Sequence, residues 1–283
     1  MNYILLMLVV AGVTMQQVVT KSYGAKVKGG TYSYSVGTMV FALLFFVLTS
    51  GGSCHFSFSI MGYSIAFAVA TSVTIIFTLL AINEGPLALT SLLMQYSLLI
   101  PTLYGLIVLG EPISLFLIIG IVFLIISIVL INFDKKEERK INLKWVIYAI
   151  LMFVGNGSCS MIQKMQQIKF DGGYKNEFMI VAYGMSIVIL FVAMLCQERT
   201  TCVSDLKRGF FYYLIRGLGV GGVNFLVLVL ANRMDASVMF PVISAGGIIA
   251  TYLLSITIYK EKLSIFQNIG VVLGIISLVF LNI

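Results

Sequence analysis

The chain has 283 residues, of which 60% are hydrophobic and only 10% charged, with a formal net charge of +7. Soluble domains carry roughly 25% charged residues, so a water-soluble enzyme or binding module is excluded and lipid is the expected solvent. The four cysteines, Cys54, Cys159, Cys196 and Cys202, form no ligand or redox spacing, and the single histidine, His55, stands alone in "GGSCHFS". Free thiols are preferred to a local Cys196–Cys202 link, and no metal, cofactor or nucleic-acid partner is expected.

A helix that crosses the hydrocarbon needs about 20 predominantly apolar residues. Ten such segments follow one another, near 3–20, 32–49, 58–80, 87–109, 113–132, 144–163, 177–195, 209–230, 237–258 and 264–282. The first is read as a retained span, because no lysine or arginine precedes its apolar run and no clear cleavage site follows it. Pro86 and Pro112 fall at or near the first turn of the fourth and fifth spans, where a missing N–H costs little. Pro101 and Pro241 fall inside spans and are expected to bend them. The connections are short and the pattern lacks the alternation of a barrel, so the fold class expected is an all-α membrane protein of ten transmembrane helices.

Residues 111–132 ("EPISLFLIIGIVFLIISIVLIN") and 261–282 ("EKLSIFQNIGVVLGIISLVFLN") agree at 11 of 22 positions at an offset of 150. The informative matches are Glu111/Glu261, Ser114/Ser264, Gly120/Gly270, Ser127/Ser277 and Asn132/Asn282. A weaker echo pairs 12–21 with 155–164, each running from a glycine to a lysine. The sequence reads as a duplicated five-helix unit, and an odd number of spans inverts the second copy relative to the first. The charged run "DKKEERK" at 134–140 is then the aqueous joint. The expected organisation is a first repeat over 1–133, a charged loop over 134–143 and a second repeat over 144–283.

The Glu-x-x-Ser turn followed by a glycine-containing last helix in each half, within ten duplicated spans, resembles the EamA-like transporters of the drug/metabolite transporter superfamily. The resemblance covers the whole chain and implies export of amino acids, aromatic compounds or other small metabolites, with both termini in the cytoplasm. Pro101 and Pro241 do not align at the 150 offset, so no proline hinge is carried over. The charges argue for the opposite orientation: 13 lysines and arginines lie on odd-numbered connections and four on even-numbered ones. Cytoplasmic loops collect lysine and arginine, which favours both termini outside. The expected location is the plasma membrane, the bacterial inner membrane, as a multi-pass protein.

No acidic residue falls at mid-span, which argues against catalysis by paired carboxylates and against a buried acid holding a lipophilic cation. The candidate substrate-binding residues are the polar groups inside spans: Gln16, Gln17, Thr74, Gln95, Tyr96, Ser158, Asn224, Ser244 and Arg216, with Gln163 alongside. Each has interhelical hydrogen bonding as its bland alternative. Gln16 or Gln17, Gln95 or Tyr96, and Asn224 are expected to line one central cavity. Arg216, in "YYLIRGLGVGGVN", either snorkels to the headgroups or faces a wet cavity and meets a substrate carboxylate. The neighbouring "GLGVGG" has no strand before it, so a nucleotide loop is rejected. The function expected is a secondary transporter, not an enzyme, that moves a small polar or amphipathic metabolite by alternating access, an amino acid or organic acid preferred and export the favoured direction. A non-transporting scaffold or assembly factor, or a lipid-headgroup flippase, stands as the alternative. Expected partners are the small-molecule substrate, membrane lipid and, as a candidate, a second copy of the chain.

Overall fold

The computed structural model of the protein describes residues 2–52, 55, 57–84, 90, 93–94, 96–131, 142–199, 201–257 and 264–281. Gln95, the 134–140 run and Glu261 lie outside the described residues. Every described element is helical. The first three helices are α1 (Asn2–Lys26), α2 (Thr31–Thr49) and α3 (Met61–Glu84), the last entered through a short 3-10 turn at Phe58–Ile60. They are followed by α4 (Leu99–Ile107) and α5 (Leu115–Ile131). After residue 141 come α6 (Leu143–Lys169), α7 (Lys175–Gln197), the short α8 (Cys202–Arg208), α9 (Phe210–Ala231), α10 (Ala236–Thr257) and α11 (Ile265–Leu281).

Six helices (α1, α2, α3, α6, α7 and α9) are long and apolar enough to cross a membrane; α5, α10 and α11 are shorter apolar helices. Their outer faces fit a multi-pass membrane protein. Leu48 is 75% exposed, Met7 74% and Phe211 72%, and a water-soluble protein does not leave apolar surface of this extent uncovered.

Pro101 accounts for an irregularity the sequence reading placed elsewhere. Its ring cannot coexist with a helical carbonyl four residues earlier, and the chain turns at Ser97–Leu98 before α4 begins. The proline therefore occupies the first turn of a new helix, where its missing N–H is harmless, and the expected bend is a break. Gly157 of α6 fits against the break: a β-carbon there would stand 2.6 Å from the Ser97 carbonyl oxygen. Asn156 donates to Ser97 Oγ at 2.6 Å and pins it. Pro241 lies inside a continuous α10.

Helix packing runs through small residues, as expected where lipid removes most of the hydrophobic drive between helices. α5 and α11 form the most extensive pair. Leu281 seats against Gly120, Ser127 donates to the Gly270 carbonyl at 2.6 Å, and Ser277 is fully buried. Four of these residues, Gly120, Ser127, Gly270 and Ser277, are matched positions of the repeated segment. Elsewhere α3 packs on α6 and α7, α9 on α1 and α2, α2 on α7, α4 on α6 and α10, and α1 on α10. One apolar core gathers Phe46, Phe67, Phe178, Tyr183 and Leu228, and a second gathers Leu6, Val9, Leu117, Met239 and Phe240.

Candidate functional site

α9 is the helix on which the polar interior is organised. Its lipid side carries Phe211, Ile215 and Leu218, exposed at 72%, 47% and 40%. On α9, Gly217 and Gly221 fit against Thr38, Phe41 and Phe45 of α2, while Gly219 fits against Met15 and Gln16 of α1. Arg216 projects between these two neighbours. Its guanidinium carbon stands 4.9 Å from the ring centroid of Tyr34, a cation–π arrangement. Nη1 donates to Thr38 Oγ1 at 3.4 Å, whereas Nε is buried without a hydrogen-bond partner. The Arg216 side chain is thus held between α1 and α2 and not turned out to the lipid side.

Tyr34 is itself held in place. Its hydroxyl shares a 3.0 Å hydrogen bond with Thr20 of α1, and its ring stacks on Tyr23 at 4.2 Å. Gln16 sits one turn before Thr20 on the same face of α1, and its Nε2 is also buried without a partner. Gln17 is exposed on the adjacent face of α1.

The other sequence candidates lie apart from this group. Asn224 accepts from Gln163 Nε2 at 2.7 Å and donates to the Val220 carbonyl at 2.9 Å, tying α9 to α6. Thr74 donates to the Ala70 carbonyl at 2.8 Å and lies against Gly155 of α6, where a β-carbon would stand 2.8 Å from its hydroxyl. Ser158 is half-buried on α6. Tyr96 and Ser244 line a separate small cavity of about 10 Å³ with Thr102, Ile128 and Pro241, room for about one water. Tyr96 donates there to the Ile125 carbonyl at 3.1 Å, and Ser244 Oγ is unpartnered. Gln16 packs against Gly219, Asn224 pairs with Gln163, and Tyr96 reaches Ile125, with no described contact among the three.

Two carboxylates of the connections, Glu111 and Glu198, tie distant helices together. Glu111 accepts from Ala236 N and Ser237 N, both at 2.8 Å, capping α10 across 125 residues of sequence. The same carboxylate pairs with Lys164 of α6 at 3.7 Å, each side chain 6% exposed. Lys164 donates to the Met234 carbonyl at 2.6 Å. A cavity of about 450 Å³ lined by Lys164, Asn232, Arg233 and Asp235 opens beside this pair. Glu198 does the corresponding work for α2, accepting from Tyr32 N and Ser33 N at 2.8 Å and from Ser33 Oγ at 2.6 Å. Asp205 of α8 accepts from Gly30 N at 2.9 Å. In both places an anion meets unsatisfied N–H groups at the positive end of a helix. The two ties lie at opposite ends of the bundle. Lys164 is near the end of α6, which turns directly into the start of α7, and Glu198 lies just past the far end of α7, about 34 Å away along that helix.

No family model and no curated protein matches the chain. The fold has solved precedents: one chain described only as "Crystal structure of protein" superposes with a TM-score of 0.77 over 99% of this chain and 98% of its own length, at 12% identity. At that identity the likeness speaks for the fold alone.

Proposed function

We propose that the protein is a secondary carrier of ten spans in two inverted five-helix repeats, of the EamA-like kind. On this reading it moves a small polar or amphipathic metabolite across the plasma membrane by alternating access. The helix pairings support the arrangement. With α1, α2, α3, the span holding α4, and α5 as one half and α6, α7, α9, α10 and α11 as the other, most of the contacts come in matched sets, α10–α11, α6–α9 and α5–α10 being among the exceptions. α3 on α6 answers α9 on α1, α3 on α7 answers α9 on α2, and α4 on α6 answers α10 on α1, while α2–α7, α4–α10 and α5–α11 are each their own counterpart. An inverted repeat predicts such matching.

The observation that carries the carrier reading is the pair of ties. Each uses a carboxylate of one half to hold a helix N-terminus of the other half, and they stand at opposite ends. A protein that opens alternately to its two sides needs polar, breakable contacts between the halves at each end. A scaffold needs neither these nor a guanidinium turned inward.

A thermal-shift screen of the purified chain against amino acids, organic acids, sugars and quaternary amines tests this. Ligand that binds the folded state raises the apparent midpoint by mass action. At least one class is expected to give a saturable rise; a flat response to all four classes would favour the scaffold. The excess of lysine and arginine on odd connections further implies that a reporter fused after Ile283 reads out on the external side. Cytoplasmic fluorescence alone would reverse the orientation.

A further inference from the structure

We infer that Arg216 and Gln16 form a carboxylate-binding site, and that the substrate is a monoanionic organic acid; this rests on the carrier reading and gives its substrate class. Arg216 Nε and Gln16 Nε2 are two buried donors without acceptors, and unmet buried donors are rare in native interiors because each forfeits its hydration. They belong to facing helices, α9 and α1. Gln16 lies against Gly219, where a β-carbon would stand 3.4 Å from its Cγ, and Gly219 is one turn along α9 from Arg216. What is missing beside them is an acceptor.

The surroundings select the acceptor. Tyr34 covers a face of the guanidinium and Thr38 engages Nη1, which leaves the Nε edge presented in the plane of the group. That edge suits a planar carboxylate, which guanidinium holds through parallel N–H···O bonds. Gln16 adds a neutral donor from α1. The site has one positive charge and no described carboxylate facing it: Glu198 and Asp205 are engaged at the N-terminus of α2, and Glu111 at that of α10. One bound negative charge is balanced. A dianionic phosphate would leave a buried excess charge, and a quaternary amine would bring two cations together, both costly away from water. The absence of a side chain at Gly219 keeps room for Gln16 to swing towards the ligand.

The test is binding to the purified full-length chain in detergent, read as the midpoint shift. The probes are monocarboxylates such as propionate, lactate and benzoate, each paired with its own primary amide. The expected result is a saturable shift by at least one carboxylate and none by its amide. Arg216→Gln abolishes that shift, Arg216→Lys weakens the apparent affinity at least tenfold because the fork is lost, and Gln16→Leu weakens it about tenfold. Gln16→Leu is nearly isosteric, so it reports even if both Arg216 variants fail to fold. Equal response to acid and amide, or a parent-like response from Gln16→Leu and from a folded Arg216→Gln, overturns the site. A parent that ignores every carboxylate but responds to a sugar or an amine overturns the acid preference and leaves the carrier reading standing; a parent that responds to nothing overturns both.

Discussion

Glu111→Ala is expected to destabilise the folded protein by about 3 kcal/mol or more, the cost of removing one partner of a buried ion pair. The carboxylate satisfies Ala236 N and Ser237 N and neutralises Lys164 in a region where both side chains are 6% exposed. Its loss leaves two helix N–H groups and an ammonium without their anion; Lys164 retains its bond to the Met234 carbonyl. Glu111→Gln keeps an acceptor for one of the two N–H groups and is expected to cost less. Adding Lys164→Met to Glu111→Gln is expected to restore part of the loss, because the stranded charge is gone. Thermal unfolding in detergent measures all of these. A Glu111→Ala midpoint equal to the parent's would mean that the tie contributes nothing, and would remove it as the holding contact at that end.

The second large effect is steric. A β-carbon at Gly217 would lie 2.6 Å from the Thr38 carbonyl oxygen, and backbone of a neighbouring helix cannot step aside as a side chain can. Gly217→Leu must therefore push α9 off α2, opening the Arg216 site and the core around Phe46 together. Gly222 is five residues further along the same helix with nothing within 4 Å of its notional β-carbon, so Gly222→Leu is the matched control. Gly217→Leu is expected to yield no folded protein by size-exclusion profile, whereas Gly222→Leu stays within about 0.5 kcal/mol of the parent, the usual range for an unconstrained surface substitution. Similar behaviour of the two variants would show that the α2–α9 approach is not what the glycine permits.

How much could be read from the chain alone varies with the range of the physics involved. Helical, lipid-facing architecture follows from composition, and the repeated Gly120, Ser127 and Ser277 do lie on the α5–α11 contact, because small residues act wherever helices approach. Arg216 left two readings open, since a helix position fixes a direction only once the neighbours are known; the packing of α1 and α2 on α9 supplies those neighbours. The sequence shows that Glu111 and Glu198 lie between spans but not which distant helix N-terminus each one meets. The repeats mark both residues, Glu111 opening one duplicated motif and Lys164 closing another. The break at Ser97 was not legible as such, because a proline inside a span allows a kink or a break and Pro241 lies within a continuous α10. Asn224 and Gln163, separated by 61 residues, satisfy one another, the interhelical alternative that spacing could not distinguish from a substrate contact.

The central claim is that the protein moves a small acid between two aqueous compartments. The most direct measurement reconstitutes the full chain in lipid vesicles and exposes them to a defined mixture of small monocarboxylates. Mass spectrometry then determines which species enter beyond the level of empty vesicles. The account predicts saturable entry of at least one carboxylate, lost in Arg216→Gln vesicles that contain the same amount of folded protein. Entry no greater than in empty vesicles for every species, from protein shown to be folded and inserted, would contradict it.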